Sequence, residues 1–300
     1  MRTGVCWAAL ALCAGAAGAQ GRIEQRWPLD AGGSVRIVSP FGSIRVLGWD
    51  AESLAVSGRL EARAGRFHAA GDSHVRKVGI DVPANVRDPG RAWLEVRVPR
   101  GATVWVQSTA ADIDVVGMDG TLDLSSAGGS IHVVGTPEDV TAETMSGSVE
   151  LVGGTGRARV KTVSGDILLR GASQDLGAST LSGRITVRAA GWQRGGTGVQ
   201  RGRFESVTGD VRFDGDLGRG GVVELESQSG AIDLRVPAST VADFDVLTIG
   251  GTITNTLSAA QPQLPAATAG RELRFSTGAE GGGAQITIRS FKGAISLAAK

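Results

Sequence analysis

Apolar and polar residues alternate in short stretches that recur at a fixed step. Ile131-His132-Val133, Val149-Glu150-Leu151, Ile167-Leu168-Leu169 and Ile185-Thr186-Val187 are copies 18 residues apart, each following a corner glycine at Gly129, Gly147, Gly165 or Gly183. The same corner is recognisable at Gly42, Ala111, Gly209, Gly230, Gly251 and Gly293, which makes ten copies. Two positions after the corner every copy carries Ile or Val, and four positions after it every copy except Asn255 is apolar. Alternate apolar positions predict a short strand with one buried face. Five positions before the corner the residue is apolar again, from Ile37 and Val106 to Val246 and Ile288, so a second inward-facing strand precedes each bend.

Three positions before the corner all ten copies carry a hydroxyl, from Ser39 and Ser108 to Thr248 and Ser290. Stacked Ser/Thr side chains at a bend can satisfy backbone groups there and bond to their counterparts in the next copy. Glycine returns six positions after many corners, at Gly48, Gly117, Gly135, Gly153, Gly171 and Gly215. Two bends per copy are therefore expected to need a residue that tolerates positive φ.

A period this short is one supersecondary unit stacked on itself. The predicted fold is all-β: a parallel β-helix, a single-stranded right-handed β-solenoid with coils of about 18 to 21 residues. The inward columns do not follow a six-residue step, which argues against the left-handed hexapeptide helix, and parallel crossovers favour the right hand. Residues 101–300 carry the repeats, and residues 20–100 form an N-terminal β segment and first coil that cap them. Within that segment 54–60, 75–82 and 92–98 alternate as longer strands expected to shield one end of the stack, because an open edge invites aggregation. The chain finishes at Lys300, seven residues past its last corner, so the C-terminal coil is expected to be uncovered and open to self-association. Residues 190–203 and 256–270 interrupt the period and are expected to be surface loops.

Composition agrees and narrows the function. Glycine supplies 46 residues, tyrosine none, and aromatic residues only 4%, a turn-rich β composition. Residues 1–19 combine a basic start, an apolar run and small residues at Ala17 and Ala19, the pattern of a secretory signal peptide cleaved near Ala19. Both cysteines, Cys6 and Cys13, lie inside it, and the residue before Cys13 is not the small one that lipoprotein processing needs. The mature chain then has no thiol, which excludes disulfides and Cys-zinc sites. With Arg2 removed the 31 basic residues fall level with the 30 acidic ones, so no net field draws nucleic acid. No transmembrane segment remains in the mature chain, which is expected to be secreted, periplasmic or held at the outer envelope.

The segments VRIVSPFGSIRVLGWD (35–50), RVPRGATVWVQSTAADIDVVG (97–117) and GGGAQITIRSFKGAISL (281–297) resemble the bacterial putative-adhesin family of secreted β-solenoid repeat proteins. That family is a domain of unknown function, similar to the head domains of auto-transporter adhesins. The resemblance spans nearly all of the mature chain and implies a place outside the cytoplasm at the cell envelope. It supplies no catalytic residues. The chain departs from the family pattern at Ala110-Ala111, which stands where Ser-Gly is usual.

No phosphate loop, paired-histidine zinc motif or nucleophile elbow is present, and no cofactor is implied. Three positions after successive corners stand Asp114, His132 and Glu150, expected to face outward on adjacent coils. This row is read first as a solvated charge ladder, and second as a weak metal or acid/base candidate. Trp192, Arg194, Arg201 and Arg203, in the first interruption, form a candidate ligand or partner surface for sugar rings or an acidic partner; the alternative is a loop that packs Trp192 back over the coil. Trp105 should point outward or pack under the N-terminal segment, and Val116, Val134 and Val152 are read as a third buried face. The function expected is that of a non-enzymatic adhesin or envelope binding and structural protein, meeting a cell-surface glycan or an envelope protein. The alternatives are a carbohydrate-active β-helix enzyme and an element that assembles end to end.

Overall fold

The structure, a computed structural model, describes residues 21–86, 89–171, 173–189, 198–264, 270–278 and 283–300. Residues 1–19, read from sequence as a signal peptide, lie outside them. Among the described residues there is no helix, and the strands form two 13-stranded sheets. Strands that precede a corner lie in one sheet, here the pre-corner sheet, and strands that follow a corner lie in the other, the post-corner sheet. Each corner thus joins two strands of one layer, and neighbouring layers pair in parallel. Leu124, Ala142, Val160 and Ala178 stand in register across the pre-corner sheet, as Ile131, Val149, Ile167 and Ile185 do across the post-corner sheet.

The inward columns of both sheets meet in one hydrophobic cluster. Every residue five before and two after a corner is buried, and a further inward column, Val104, Leu122, Val140, Ala158 and Leu176, stands seven before it. Phe204 from one sheet and Phe213 from the other meet across this core with ring centroids 5.8 Å apart. Phe204 has room because Gly202 stands beside it on the inward side, where a Cβ would come within 2.8 Å of its ring.

At the bends the hydroxyl column works in both directions. In the layer of Thr162 the Gly165 N–H donates to Oγ1 at 3.0 Å, and Oγ1 donates to the carbonyl of Gly147 in the preceding layer at 3.4 Å. Ser126, Thr144, Ser206 and Thr248 repeat this pair of bonds. The corner glycines need a different explanation from the expected one. Gly147, Gly165 and Gly183 do not adopt positive φ; instead a Cβ on Gly165 would lie 1.8 Å from the Gly147 carbonyl oxygen. Close stacking of backbone on backbone, not torsion, reserves these positions for glycine. Positive φ belongs to part of the other glycine column, as at Gly153 with φ 128 and Gly171 with φ 126.

At the N-terminal end Val75–Asp81 and Ala92–Pro99 add one parallel layer beyond Ser34–Val38 and Gly42–Trp49. Ser53–Leu60 then pairs antiparallel to Ala92–Pro99, Arg22–Pro28 antiparallel to Ser53–Leu60, and Arg66–Gly71 antiparallel to Val75–Asp81. The other end corrects the expectation of an uncovered last coil. Ala284–Ser290 and Ile295–Ala299 insert between the layer of Gly230 and the layer of Gly251, pairing with both. Burial explains the order, since Ile286, Ile288 and Leu297 are at most 1% exposed and need a neighbour on each side. The outermost strands are Ile253–Asn255 in one sheet and the antiparallel Arg271–Thr277 in the other. Asn255, the exception to the apolar column, turns its amide to Ser258 and Ala260 and organises the departing loop.

Candidate functional site

The register places Asp114, His132 and Glu150 side by side on the outer face of the post-corner sheet. His132 Nδ1 lies 3.1 Å from an Asp114 oxygen, while the other oxygen of that carboxylate is 3.3 Å from Arg45 Nε. Glu150 turns the other way, 3.9 Å from Arg170. The three side chains are thus divided between neighbouring ion pairs and do not converge. Among the described residues no group of three or more His, Cys, Asp or Glu side chains is arranged to hold a metal ion.

The outer face of the pre-corner sheet is built differently. One row across it reads Asp123, Thr141, Arg159, Gly177, Arg203 and Glu224 in successive layers. Gly177 leaves a gap between two long basic side chains, and a Cβ there would stand 2.9 Å from Arg159 Cδ. A cleft of about 510 Å³ opens over this gap, walled by Arg159, Asp175, Arg201, Arg203, Glu205 and Glu224. A second groove of about 780 Å³ continues from it past Arg157, Gln174 and Gln200.

Electrostatics hold the walls apart. Arg159 leans onto Asp175 at 2.9 Å, which Arg157 also approaches. Arg203 is bonded to Glu205 and reaches Glu224 at 3.2 Å; the Glu205 bond holds its guanidinium above the usual arginine range. Arg201 stands in register with Asp175 and Val222, pointing into the cleft. The lining has no aromatic ring among the described residues. Recognition there rests on guanidinium donors and carboxylate acceptors around a groove whose exposed lining is mostly apolar, with Val222 among it, a set that suits an elongated ligand carrying polar groups.

Of the residues singled out from sequence, Arg201 and Arg203 therefore share one cleft, whereas Trp192 and Arg194 lie outside the described residues. The cleft also uses Arg159, Asp175 and Gly177, which sequence reasoning passed over. Gly177 was legible in principle as a glycine in an outward strand position. Trp105 faces outward and stays 40% exposed, so it does not pack under the N-terminal segment. Val116, Val134 and Val152 are half-buried, a partly covered stripe.

No family model and no curated protein matches the chain. Solved structures do. A putative adhesin from Parabacteroides distasonis aligns over 92% of this chain and 96% of its own, with 11% identity and a TM-score of 0.53. A putative adhesin from Bacteroides fragilis aligns over 93% of this chain and 97% of its own at 13% identity and a TM-score of 0.45. A putative lipid binding protein from Parabacteroides distasonis covers 94% and 98% at 8% identity, with a TM-score of 0.34. At these identities the likeness to the first of them is one of fold.

Proposed function

We propose that the protein is a non-enzymatic, extracytoplasmic binding protein of adhesin type that holds a polar ligand on the outer face of its pre-corner sheet. The observation that carries this reading is the cleft over Gly177, with Arg159, Arg201 and Arg203 beside Asp175 and Glu224. In this reading residues 1–19 are a signal peptide, residues 20–100 cap one end, and the layers form a right-handed parallel β-helix. Strands that alternate between two sheets, with most pairs in the middle of the stack one repeat apart in sequence, support the β-helix. A stacked β scaffold suits binding because its outer rows form extended, rigid faces. The partner chemistry is that of a cell-surface glycan or an envelope protein segment carrying both hydroxyl and acidic groups.

A glycan array run beside a reducing-sugar release assay tests this. The wild-type protein binds a subset of acidic glycans and releases no sugar. Arg201→Ala and Arg203→Ala each weaken binding by about 10- to 100-fold, the worth of one charge-assisted hydrogen bond. Release of reducing ends, or binding untouched in both variants, overturns the proposal.

A further inference from the structure

The bend between the two sheets carries an unusual row. Two positions before successive corners stand Met145, Val163, Leu181, Val207, Gln228 and Phe291, one per layer, with Ile249 next and Ala127 before them. Met145 is 61% exposed, Leu181 51%, Phe291 47%, Ile249 45% and Val163 43%. A single exposed apolar residue needs no explanation, but a ridge interrupted over these layers only by Gln228 marks a contact surface. Over the six layers from Met145 to Phe291 the ridge runs about 24 Å, at about 4.8 Å per layer. A groove of about 680 Å³ runs beside it, between Leu181, Val207, Phe291 and the neighbouring row of the pre-corner sheet.

The rows on either side of the ridge identify its partner. On the pre-corner side the same six layers carry Glu143, Lys161, Ser179, Glu205, Glu226 and Arg289. On the post-corner side they carry Ser148, Asp166, Arg184, Asp210, Ala231 and Ala294. Neither row sets like charges together when reversed about the midpoint between the layers of Leu181 and Val207, and three of the six pairs become opposite in charge; Lys161 and Glu143 already pair within one chain at 3.6 Å and Arg184 and Asp210 at 3.9 Å. Reversal sets Glu143 against Arg289, Lys161 against Glu226, and Arg184 against Asp210. It also sets Met145 against Phe291, Val163 against Gln228, Leu181 against Val207, and Ala127 against Ile249. Arg289 is already held by Asp245 at 2.6 Å, so its guanidinium is positioned before any partner arrives.

We infer that the ridge is the interface of a symmetric dimer, in which a second copy of this chain lies antiparallel across it on a twofold axis between the layers of Leu181 and Val207. Such a contact is isologous, one patch meeting itself. The parallel alternative is less favourable by charge. It would lay the pre-corner row of one copy on the post-corner row of the other within each layer, so that the attraction of Lys161 for Asp166 is offset by Glu205 against Asp210, whereas reversal sets no like charges together. In the antiparallel dimer the two pre-corner faces lie on the same side, and their ligand clefts form one doubled surface.

Sedimentation or light scattering of the purified protein at up to about 100 µM reads the result directly. The mass expected is that of two chains. Leu181→Arg yields a monomer with unchanged circular dichroism that still melts cooperatively, at a temperature no longer dependent on concentration. Lys161→Glu and Glu226→Lys each weaken the dimer by about 10-fold or more, and the double variant recovers to near wild type, because it restores opposite charges only across the twofold. A monomeric wild type, a dimer that survives Leu181→Arg, an open series of masses from end-to-end growth, or a double variant no better than the singles overturns the proposal. Glycan binding measured on the Leu181→Arg monomer keeps failure of the dimer separate from failure of the ligand cleft.

Discussion

Thr162 shows at the scale of one residue why a hydroxyl recurs before every corner. It accepts from the Gly165 N–H and donates to the Gly147 carbonyl, so one side chain satisfies buried backbone groups in two layers. Thr162→Val keeps shape but leaves both backbone groups without a partner. It is expected to cost about 1–3 kcal/mol, while Thr162→Ser costs much less; urea unfolding of the pair measures the difference. The corner glycine beside it has a purely steric role, since the carbonyl of the layer below occupies the space of its Cβ. Ala111 is tolerated in that column where it stacks on Gly42, whose φ of 105 sets that corner apart from the later ones.

Among the elements, the strand Ala242–Thr248 depends most on charge. It is held between Ala284–Ser290 in parallel and Arg271–Thr277 antiparallel. Hydrogen bonds from Arg289 keep the Asp245 carboxyl below its ordinary range, against a smaller opposing effect of burial, and Arg274 adds to the lowering. A depressed carboxyl stabilises the fold fully above its unfolded pKa, and that contribution is lost as pH falls through the folded value, here below about pH 4. Asp245→Asn should therefore lower stability near pH 7 by less than about 1 kcal/mol, because the pair is partly solvated, and lower the melting temperature with it. The gap from wild type should narrow as the pH falls below about 4 towards about 3. Melting both proteins at the two pH values checks the sign.

Across the whole molecule, stability comes from stacking. One layer offers only a handful of inward apolar residues, each worth about 1.5–3 kcal/mol when buried, too little to order a layer alone. Ile167 sits between Val149 and Ile185 in the middle of the stack. Ile167→Asp buries an unpaired carboxylate and is expected to cost several kcal/mol. Hydrogen exchange should then show lost protection in the layers of Val149 and Ile185 as well as in its own. An unchanged melting temperature would contradict a stack whose layers support one another. The same stacking generates the outer rows, so the ligand cleft and the apolar ridge are consequences of one register repeated many times.

The inward columns, the hydroxyl before each corner and the strands on either side were determined by sequence alone, because a two-residue alternation and an 18-residue step are local signals. The order of the layers was not. The pairing of Ile295–Ala299 between two earlier layers is settled by which buried faces find neighbours, and that depends on segments far apart in the chain. Arg271–Thr277 falls outside the repeated columns, since it joins the sheet only as an antiparallel edge. The cleft was half visible: Arg201 and Arg203 stood out as charges near an interruption, but Gly177 gains meaning only when register sets it between Arg159 and Arg203. Tertiary structure decided which outward residues became neighbours, because strand pairing, not sequence distance, brings outer rows together.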